Sequence, residues 1–462
     1  MGAVYETLIG LDPTDHKTLI PRLATRWSSN SNLTQWTFIL NPKARFSDGS
    51  PVTSADVKYS WTRLKFAPSG SRAAADDIAT MDAPDASTVV VRFNKPNATF
   101  VDRVTFSSMG IVNAKVAEVH GAALTDGGRA AAWFNSNSAG SGPFVLASFV
   151  VGSELKLKRN DSYWGRPAVV PEVTFRDVKD PAEGAALVEQ GVIDVAVDVP
   201  NSVASTLASP DVHVERAPSA SFVWLQLSPR HDQAGGSSLT PDVRSAIRLA
   251  LDYDGLLNVA VGSAGRKQAS AVPNDFAGGG TLAAPKQDLA GARALMAKAN
   301  VVVPELEARF PNTKAFGVDS LTLMAKVQAD LQAIGIKLRL NPVDWSVLET
   351  KAVTPVALGY WGTEDNDPRD IGYLSLADSS VTQVLSTAGP SAAEGETLDK
   401  AVATKDIKAR VALIRQLDQM IYDDDIVIPL VNPDSIVVAR SNITGVQVGI
   451  ADTLDLRTIS RG

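Results

Sequence analysis

The stretch Gln35–Ser60 (QWTFILNPKARFSDGSPVTSADVKYS) decides the fold, because it predicts a strand, two turns and a helix start in one short run. Polar and apolar residues alternate over Gln35–Leu40, as expected of a strand with one buried face. Asn41 and the Pro after it form one predicted turn, and the Asp-Gly-Ser-Pro segment forms the next. A helix then begins, with either Thr53 or Ser54 as its capping residue.

Four short motifs in and beside this stretch resemble the signature region of the family 5 extracellular solute-binding proteins of ABC importers, the peptide- and nickel-binding group. The family's typical pattern is Leu-Ala-x-x-Trp, then Trp-x-Phe-x-Leu, then Phe-x-Asp-Gly-x-Pro and Ala-x-Asp-Val-x-x-Ser. The four occur in this order at Leu23–Trp27, Trp36–Leu40, Phe46–Pro51 and Ala55–Ser60. Four matches in so short a region make the resemblance specific.

The likeness continues over nearly the whole chain. Tyr5–Leu8 is similar to the family's Tyr-Glu-x-Leu segment, Ser141–Phe144 to its Gly-Pro-Phe piece, and Asn160–Trp164 to its Asn-x-x-Tyr-Trp piece. Phe222–Ser228 resembles the crossover strand, although the family usually has Asn at the position of Ser228. Family members begin one strand earlier, so we expect residues that include an export signal to precede the first Met.

Composition limits the classes of function. The chain has 462 residues, of which 45% are hydrophobic, and it carries a net charge of −7. This length and apolar content suit two or three domains, and the acidic balance argues against nucleic acid as the main partner. Cysteine is absent, which excludes disulfides, zinc thiolate sites and cysteine nucleophiles. No apolar run reaches the roughly 20 residues that a membrane-spanning helix needs.

Later segments predict an α/β fold. Strands are predicted at Glu305–Phe310 and Ile336–Leu340 on either side of a helix over Ser320–Ile334. Such a β-α-β unit implies a parallel sheet. Asp406–Tyr422 is predicted as the last long helix, and we expect the three acids that follow it, 423–425, to be a solvated helix end rather than a calcium site.

Catalytic and metal sites have little support in the sequence. It contains no Gly-x-Ser-x-Gly, His-Glu-x-x-His or Gly-x-x-x-x-Gly-Lys motif. The four histidines lie far apart, and none has a second metal ligand at helical spacing. We therefore predict no catalytic residue, no metal site and no cofactor, and a peptidase stays only as a remote alternative.

The predicted ligand site centres on Pro355–Tyr373. Pro355–Trp361 is predicted as a short buried strand that ends in two aromatics, and acids follow at Glu364 and Asp365. An aromatic wall beside negative charge suits an ammonium group, through ion pairing and cation–π contact. A solvated acidic turn after an ordinary strand is the alternative, and the resemblance weakens it.

The resemblance also implies roles for individual residues. In peptide-binding members of the family, an Asp on the loop after the Trp strand pairs with the ligand's α-ammonium. Asp367 and the Pro after it resemble the family's acid-Pro step, and counting back places Glu364 at the amine position, with Asp365 next if the register slips by one. Glu in place of Asp keeps the charge and lengthens the side chain by one methylene. The predicted ligand-binding residues are Glu364, Trp361, Asp365, Trp224, Tyr5 and Ser141.

The implied architecture is an α/β, bilobal periplasmic-binding-protein type II fold with discontinuous lobes and a two-segment hinge. We expect lobe 1 at 1–229, with an extra subdomain at about 28–150, lobe 2 at 230–433, and a return to lobe 1 at 434–462. The chain crossings are expected near Ser228 and Pro433.

The expected function follows from that architecture. The lobes would capture a small peptide or peptide-like, amine-bearing ligand and deliver it to the membrane subunits of an ABC permease. The same fold holding an opine, a glycoside or a metal chelate is the alternative. We expect a periplasmic or cell-surface monomer with no nucleic-acid partner.

Overall fold

The computed structural model describes residues 2–12, 18–67, 70–125, 131–229, 234–274, 276–348, 354–362, 391–446, 448 and 454–462. Within these residues, no helix has the length and apolar character to cross a membrane. The helices are α1 (Ser54–Leu64), α2 (Phe100–Arg103), α3 (Ala114–Val119), α4 (Ala131–Phe134), α5 (Pro181–Glu189), α6 (Asn201–Ala204), α7 (Pro241–Ala250), α8 (Tyr253–Val261), α9 (Leu289–Ala299), α10 (Ser320–Gln332), α11 (Trp345–Leu348), α12 (Ala392–Ala403) and α13 (Ile407–Asp424).

Strands make up the rest of the regular structure. They are β1 (Ile9–Leu11), β2 (Leu19–Pro21), β3 (Ala24–Ser29), β4 (Gln35–Leu40), β5 (Ile78–Asp85), β6 (Thr88–Phe93), β7 (Phe144–Val150), β8 (Glu154–Arg159), β9 (Glu172–Arg176), β10 (Val195–Ala196), β11 (Val212–Pro218), β12 (Phe222–Leu227), β13 (Gly265–Lys267), β14 (Leu306–Pro311), β15 (Lys314–Ala315), β16 (Val318–Asp319), β17 (Leu338–Val343), β18 (Val356–Trp361), β19 (Val427–Arg440), β20 (Ile443–Thr444) and β21 (Ser460–Arg461).

The signature stretch forms the strand, turn and helix that its pattern predicts. Strand β4 lies inside the antiparallel sheet β3-β4-β6-β5, and its alternate side chains enter the core. On α1, the Asp56 carboxylate accepts a hydrogen bond from the backbone N–H of Thr53 at 2.9 Å and another from that of Ala114 at 3.0 Å. Trp61 is fully buried, edge to face against Phe38 and Phe100. Asp56 therefore links the start of α1 to the start of α3, and Trp61 is part of the hydrophobic core.

A second group of strands contains the predicted β-α-β unit. Strands β14 and β17 are parallel, with α10 between them in the chain, so the prediction of a parallel sheet is confirmed. The strand order is β19-β12-β18-β14-β17. Helices α8 and α10 cover one face with an apolar core, and α13 packs on the other.

Two crossings join this group to a smaller one, made of β10, β11 and the part of β19 from Asp434 onward, and we call these two the strand groups. Strand β19 pairs with β12 up to Val431 and with β11 from Asp434 onward. On the other crossing, β11 ends at Pro218 and β12 begins at Phe222. The predicted lobe limits at 229 and 433 stay predictions, and the pairing of β12 favours a first crossing at 219–221 rather than near Ser228.

The acids at the end of α13 differ from the expectation. Asp425 is buried, takes the left-handed conformation with φ 52°, and pairs with Arg248 at 2.7 Å. The Ser245 hydroxyl also donates to its carboxylate at 2.6 Å. Burial raises the pKa of Asp425, while these hydrogen-bonding and charged neighbours oppose the rise. The prediction of a solvated helix end was therefore wrong for Asp425, because arginines from α7 approach it from a distant part of the sequence.

Candidate functional site

The end of β18 meets the first crossing and a separate hairpin that follows β14 in the chain. Gly362, the residue after this strand, packs closely against both. A β-carbon on it would lie 3.0 Å from the Ser221 hydroxyl and 3.5 Å from the Phe316 ring. Trp361 is half-buried, and its indole N–H is buried without a hydrogen-bond partner among the described residues. A donor and an aromatic ring therefore lie where the two strand groups come together.

The hairpin β15–β16 faces the end of β18. Its two-residue loop, Phe316 and Gly317, has φ values of 51° and 71°, as a type I′ turn requires. A positive φ is uncommon for Phe, so the turn is held by its surroundings. The Phe316 ring lies 6.1 Å from that of Tyr360, whose hydroxyl is 2.7 Å from the Ser320 hydroxyl. These contacts fix the aromatic turn beside the end of β18.

A small recess of about 10 Å³ lies next to this turn, and we call it the junction hollow. Both strand groups contribute to its walls. The lining residues are Asp198, Val199, Asn201, Ser219, Val261, Ala264, Phe316, Gly317, Asp434, Ser435 and Ile436.

Sequence reasoning missed Asp198, Phe316 and Asp434. Each lies in a different segment without a motif of its own, and only the tertiary fold brings them to one recess. The one local signal is conformational. Asp198 has φ 55° and Phe316 has φ 51°, and neither angle can be predicted from the residue type.

The predicted amine partners Glu364 and Asp365 lie outside the described residues. Their predicted roles therefore stay predictions. What the structure describes is β18, from Val356 to Trp361, and the Gly362 that follows it beside Ser221 and Phe316.

Trp224 is placed in the core. Its side chain is 1% exposed, and its indole N–H donates to the Gln226 side-chain carbonyl at 3.2 Å. Gly359, its partner across β12 and β18, leaves room for the ring, since a β-carbon there would lie 2.2 Å from ring atoms. Ile414 and Leu417 of α13 belong to the same buried cluster. A ligand contact of Trp224 stays a prediction, and the packing supports a structural role.

Tyr5 and Ser141 lie together in another part of the molecule. The Tyr5 hydroxyl accepts a hydrogen bond from the Ala139 N–H at 3.4 Å, and Ser141 is fully buried. The backbone N–H of Gly142 donates to the Val4 carbonyl at 2.9 Å, which ties the N-terminal segment to the Gly-Pro-Phe piece. The ligand roles of Tyr5 and Ser141 stay predictions.

Three motifs that are distant in sequence meet at Glu6. Its two carboxylate oxygens accept hydrogen bonds from the Tyr163 hydroxyl at 2.6 Å and the Trp164 indole N–H at 2.9 Å. Burial raises the pKa of Glu6, and these two donors, Arg22 and Ser141 oppose the rise. The Tyr-Glu-x-Leu, Gly-Pro-Phe and Asn-x-x-Tyr-Trp pieces therefore form one buried structural cluster.

Metal ligation finds no support in the part of the chain that the structure describes. No group of three His, Cys, Asp or Glu side chains there is placed to hold a metal ion.

Comparisons with known proteins agree with this fold. By sequence, the chain is similar to the probable D,D-dipeptide-binding periplasmic protein DdpA of Escherichia coli (strain K12), with 26% identity over 416 residues, which is 87% of this chain and 77% of that protein. By structure, it is similar to the dipeptide binding protein of Pseudoalteromonas sp. SM9913 in complex with Met-Leu, with a TM-score of 0.87 and 16% identity over 100% of this chain and 94% of that one.

A second solved structure is the PBP AgaA of A. tumefaciens R10 in complex with agropinic acid. Its TM-score is 0.85, with 22% identity over 100% of this chain and 93% of that one. These likenesses confirm the predicted α/β, periplasmic-binding-protein type II fold. The family model for bacterial extracellular solute-binding proteins, family 5 Middle, matches residues 18–383. The chain therefore belongs to the bacterial extracellular solute-binding proteins of family 5.

Proposed function

We propose that this protein captures a small peptide, or a peptide-like solute with a free amine, and presents it to an ABC-type permease. Family membership and the likeness to a D,D-dipeptide-binding protein support a peptide ligand. The observation that carries the proposal is the end of β18. There, the Trp361 side chain has a buried indole N–H that no described residue accepts, and Gly362 after it lies beside Ser221 and Phe316.

The chemistry of capture has two parts. Extended main chain in the ligand can form strand-like hydrogen bonds that ignore side-chain identity. The ligand's ammonium group needs a carboxylate, which we assign to Glu364, with Asp365 as the alternative.

Closure of the two lobes would complete the site. We propose lobe 1 at 1–229 with 434–462 and lobe 2 at 230–433, with the first limit moved toward 219–221 by the pairing of β12. A ligand that contacts both lobes only in the closed form shifts the equilibrium toward that form. We assign the protein no catalytic step, and we expect an exported monomer that works outside the cytoplasm.

The fold alone does not choose the ligand. The similar structures hold a Met-Leu dipeptide in one case and agropinic acid in the other. Mass spectrometry of the solute that co-purifies with the protein would identify the class directly.

A competition experiment tests the amine. Di- and tripeptides should bind in titration calorimetry, and the same peptides with acetylated N-termini should not compete. Equal competition by free and acetylated peptides would contradict an amine-directed site, and cleavage of the peptides during incubation would contradict a pure binding function.

A further inference from the structure

One buried side chain joins the two crossings. Asn432 is fully buried on β19 between its two pairing regions. Its amide N–H₂ donates to the carbonyls of Ser219 at 2.9 Å and Ser221 at 2.7 Å, on the other crossing. Its carbonyl oxygen accepts from Arg266 at 2.8 Å and from Asn274 at 3.3 Å. The amide thus makes the four hydrogen bonds that an Asn side chain can offer.

The backbone ladder cannot make this connection. One ladder ends where Pro218 pairs with Asp434, and the next begins where Val223 pairs with Val431. Between these pairs, four residues of one crossing face two of the other, so the register is interrupted. Pro433 also has no N–H to donate. Side chains therefore supply the link that backbone pairing supplies elsewhere along β19.

A second side chain strengthens the same link. The Ser219 hydroxyl donates to the Pro433 carbonyl at 2.7 Å and accepts from the backbone N–H of Ser221 at 3.1 Å. Ser219 is 1% exposed and Ser221 is fully buried. The two crossings are thus tied in both directions, and the whole link is shielded from water, which would otherwise compete for these hydrogen bonds.

We propose that Asn432 is a positioning residue that couples the two crossings, so that the lobes move about them as one hinge. Closure concentrates the change of backbone angles in a few residues at the crossings. If the crossings were free of each other, each would change angle independently and the lobes would adopt many relative orientations. The link restricts the lobes to one path of relative motion. Arg266, which is bonded to Asn432, and Ser219, which lines the junction hollow, move together along it.

The test is a distance measurement between the lobes. The chain has no cysteine, so two introduced cysteines carry spin labels without interference. Val119 at the end of α3 and Val302 after α9 are 79% and 91% exposed and lie in the two halves, so Val119→Cys and Val302→Cys are suitable label positions. The protein is freed of ligand by partial unfolding and refolding, and pulsed electron paramagnetic resonance then gives the distance distribution.

The decisive variant is Asn432→Asp, which keeps the shape and removes both N–H donors. We expect the distance distribution to lose its single narrow peak and to extend to longer distances. The matched control is Asn160→Asp, because Asn160 is also buried and donates to the Gly142 carbonyl at 3.0 Å, away from the crossings. The control should lower thermal stability and leave the distribution narrow.

Two outcomes would overturn the inference. One is a distribution for Asn432→Asp as narrow as that of the parent protein, and the other is equal broadening in Asn160→Asp. If Asn432→Asp does not fold, Ser219→Ala decides in its place, where broadening supports the link and an unchanged distribution overturns it. The inference concerns closure and so rests on the proposed function, but the measurement uses no ligand. Failure to bind peptides would therefore count against the proposed function alone.

Discussion

At the scale of the residue, the chemistry of this protein depends on which carboxylates are buried and what faces them. Glu6, Asp425 and Asp418 are all buried, and each has hydrogen-bond donors from distant parts of the chain. A buried carboxylate with donors fixes structure, whereas a carboxylate without them needs a cation. As the proposed partner of an ammonium group, Glu364 would belong to the second kind.

The first prediction concerns Glu364. Loss of a carboxylate opposite a desolvated ammonium costs roughly 3–5 kcal/mol. Glu364→Gln should therefore weaken peptide binding at least about a hundredfold, without unfolding the protein. Titration calorimetry measures the affinity, and circular dichroism checks the fold. Asp365→Asn is the companion variant, and a large loss there with none at Glu364 would show that the register slips by one.

The second prediction concerns the pH dependence of stability. Asp418 on α13 accepts hydrogen bonds from the Ser270 hydroxyl and from the Ala271 N–H, and burial raises its pKa to about 6. Between the unfolded pKa near 4 and this value, the folded state binds the proton and the unfolded state does not. Stability should therefore fall as pH rises through this window, by roughly 3 kcal/mol from this group.

Urea unfolding at a series of pH values checks this prediction. Asp418→Asn should remove the fall between about pH 4 and pH 6. Asp423→Asn makes the same change of charge at an exposed position of the same helix and should leave the fall in place. A profile for Asp418→Asn that parallels the parent protein would contradict the assignment.

At the scale of the element, strand packing decides which small residues are obligatory. Gly359 lies opposite Trp224 in the pairing of β12 with β18, and the ring occupies the space that a side chain would need. A β-carbon on Gly395 of α12, by contrast, would have no described atom within 4 Å outside its own helix turn. The same residue type thus has opposite roles in a buried strand and on an open helix.

The third prediction compares these two glycines. Gly359→Ala should destabilise the protein by roughly 1–3 kcal/mol, because the methyl group forces the Trp224 ring or the strand to move. Gly395→Ala should be neutral or stabilise by up to about 1 kcal/mol, because Ala is the better helix former. Chemical unfolding measures both. Equal effects of the two changes would show that close packing at Gly359 is not the reason for glycine there.

At the scale of the whole molecule, the crossings are not the only connection between the two halves. The backbone N–H of Ala98 donates to the Val402 carbonyl at 2.8 Å, and Lys95 pairs with Asp399 at 2.7 Å. In a third contact, Lys314 of the hairpin β15–β16 pairs with Asp180 at 3.0 Å. The two ion pairs are exposed, and such pairs contribute about 1 kcal/mol or less, so they add little to closure.

The fourth prediction follows from that balance. Removal of the co-purified ligand should open the molecule and raise the radius of gyration in small-angle scattering, and adding the same solute back should lower it again. Lys95→Glu should favour the open form slightly, since one exposed ion pair is replaced by repulsion between two carboxylates. A radius of gyration that does not respond to the solute would contradict closure about the crossings.

The sequence by itself determined the local elements and the family. Hydrophobic periodicity and capping residues, which act over a few neighbours, predicted three features. These are the strand, turn and helix of the signature stretch, the β-α-β unit and the aromatic end of β18. The tertiary structure alone decided which distant residues meet. Asp425 is paired rather than solvated, Trp224 is covered by α13, and Asp198, Phe316 and Asp434 share one recess. The physical reason is that burial and hydrogen bonding depend on contacts between distant segments, such as Gln226 and Ile426, which lie 200 residues apart, and no local pattern encodes them.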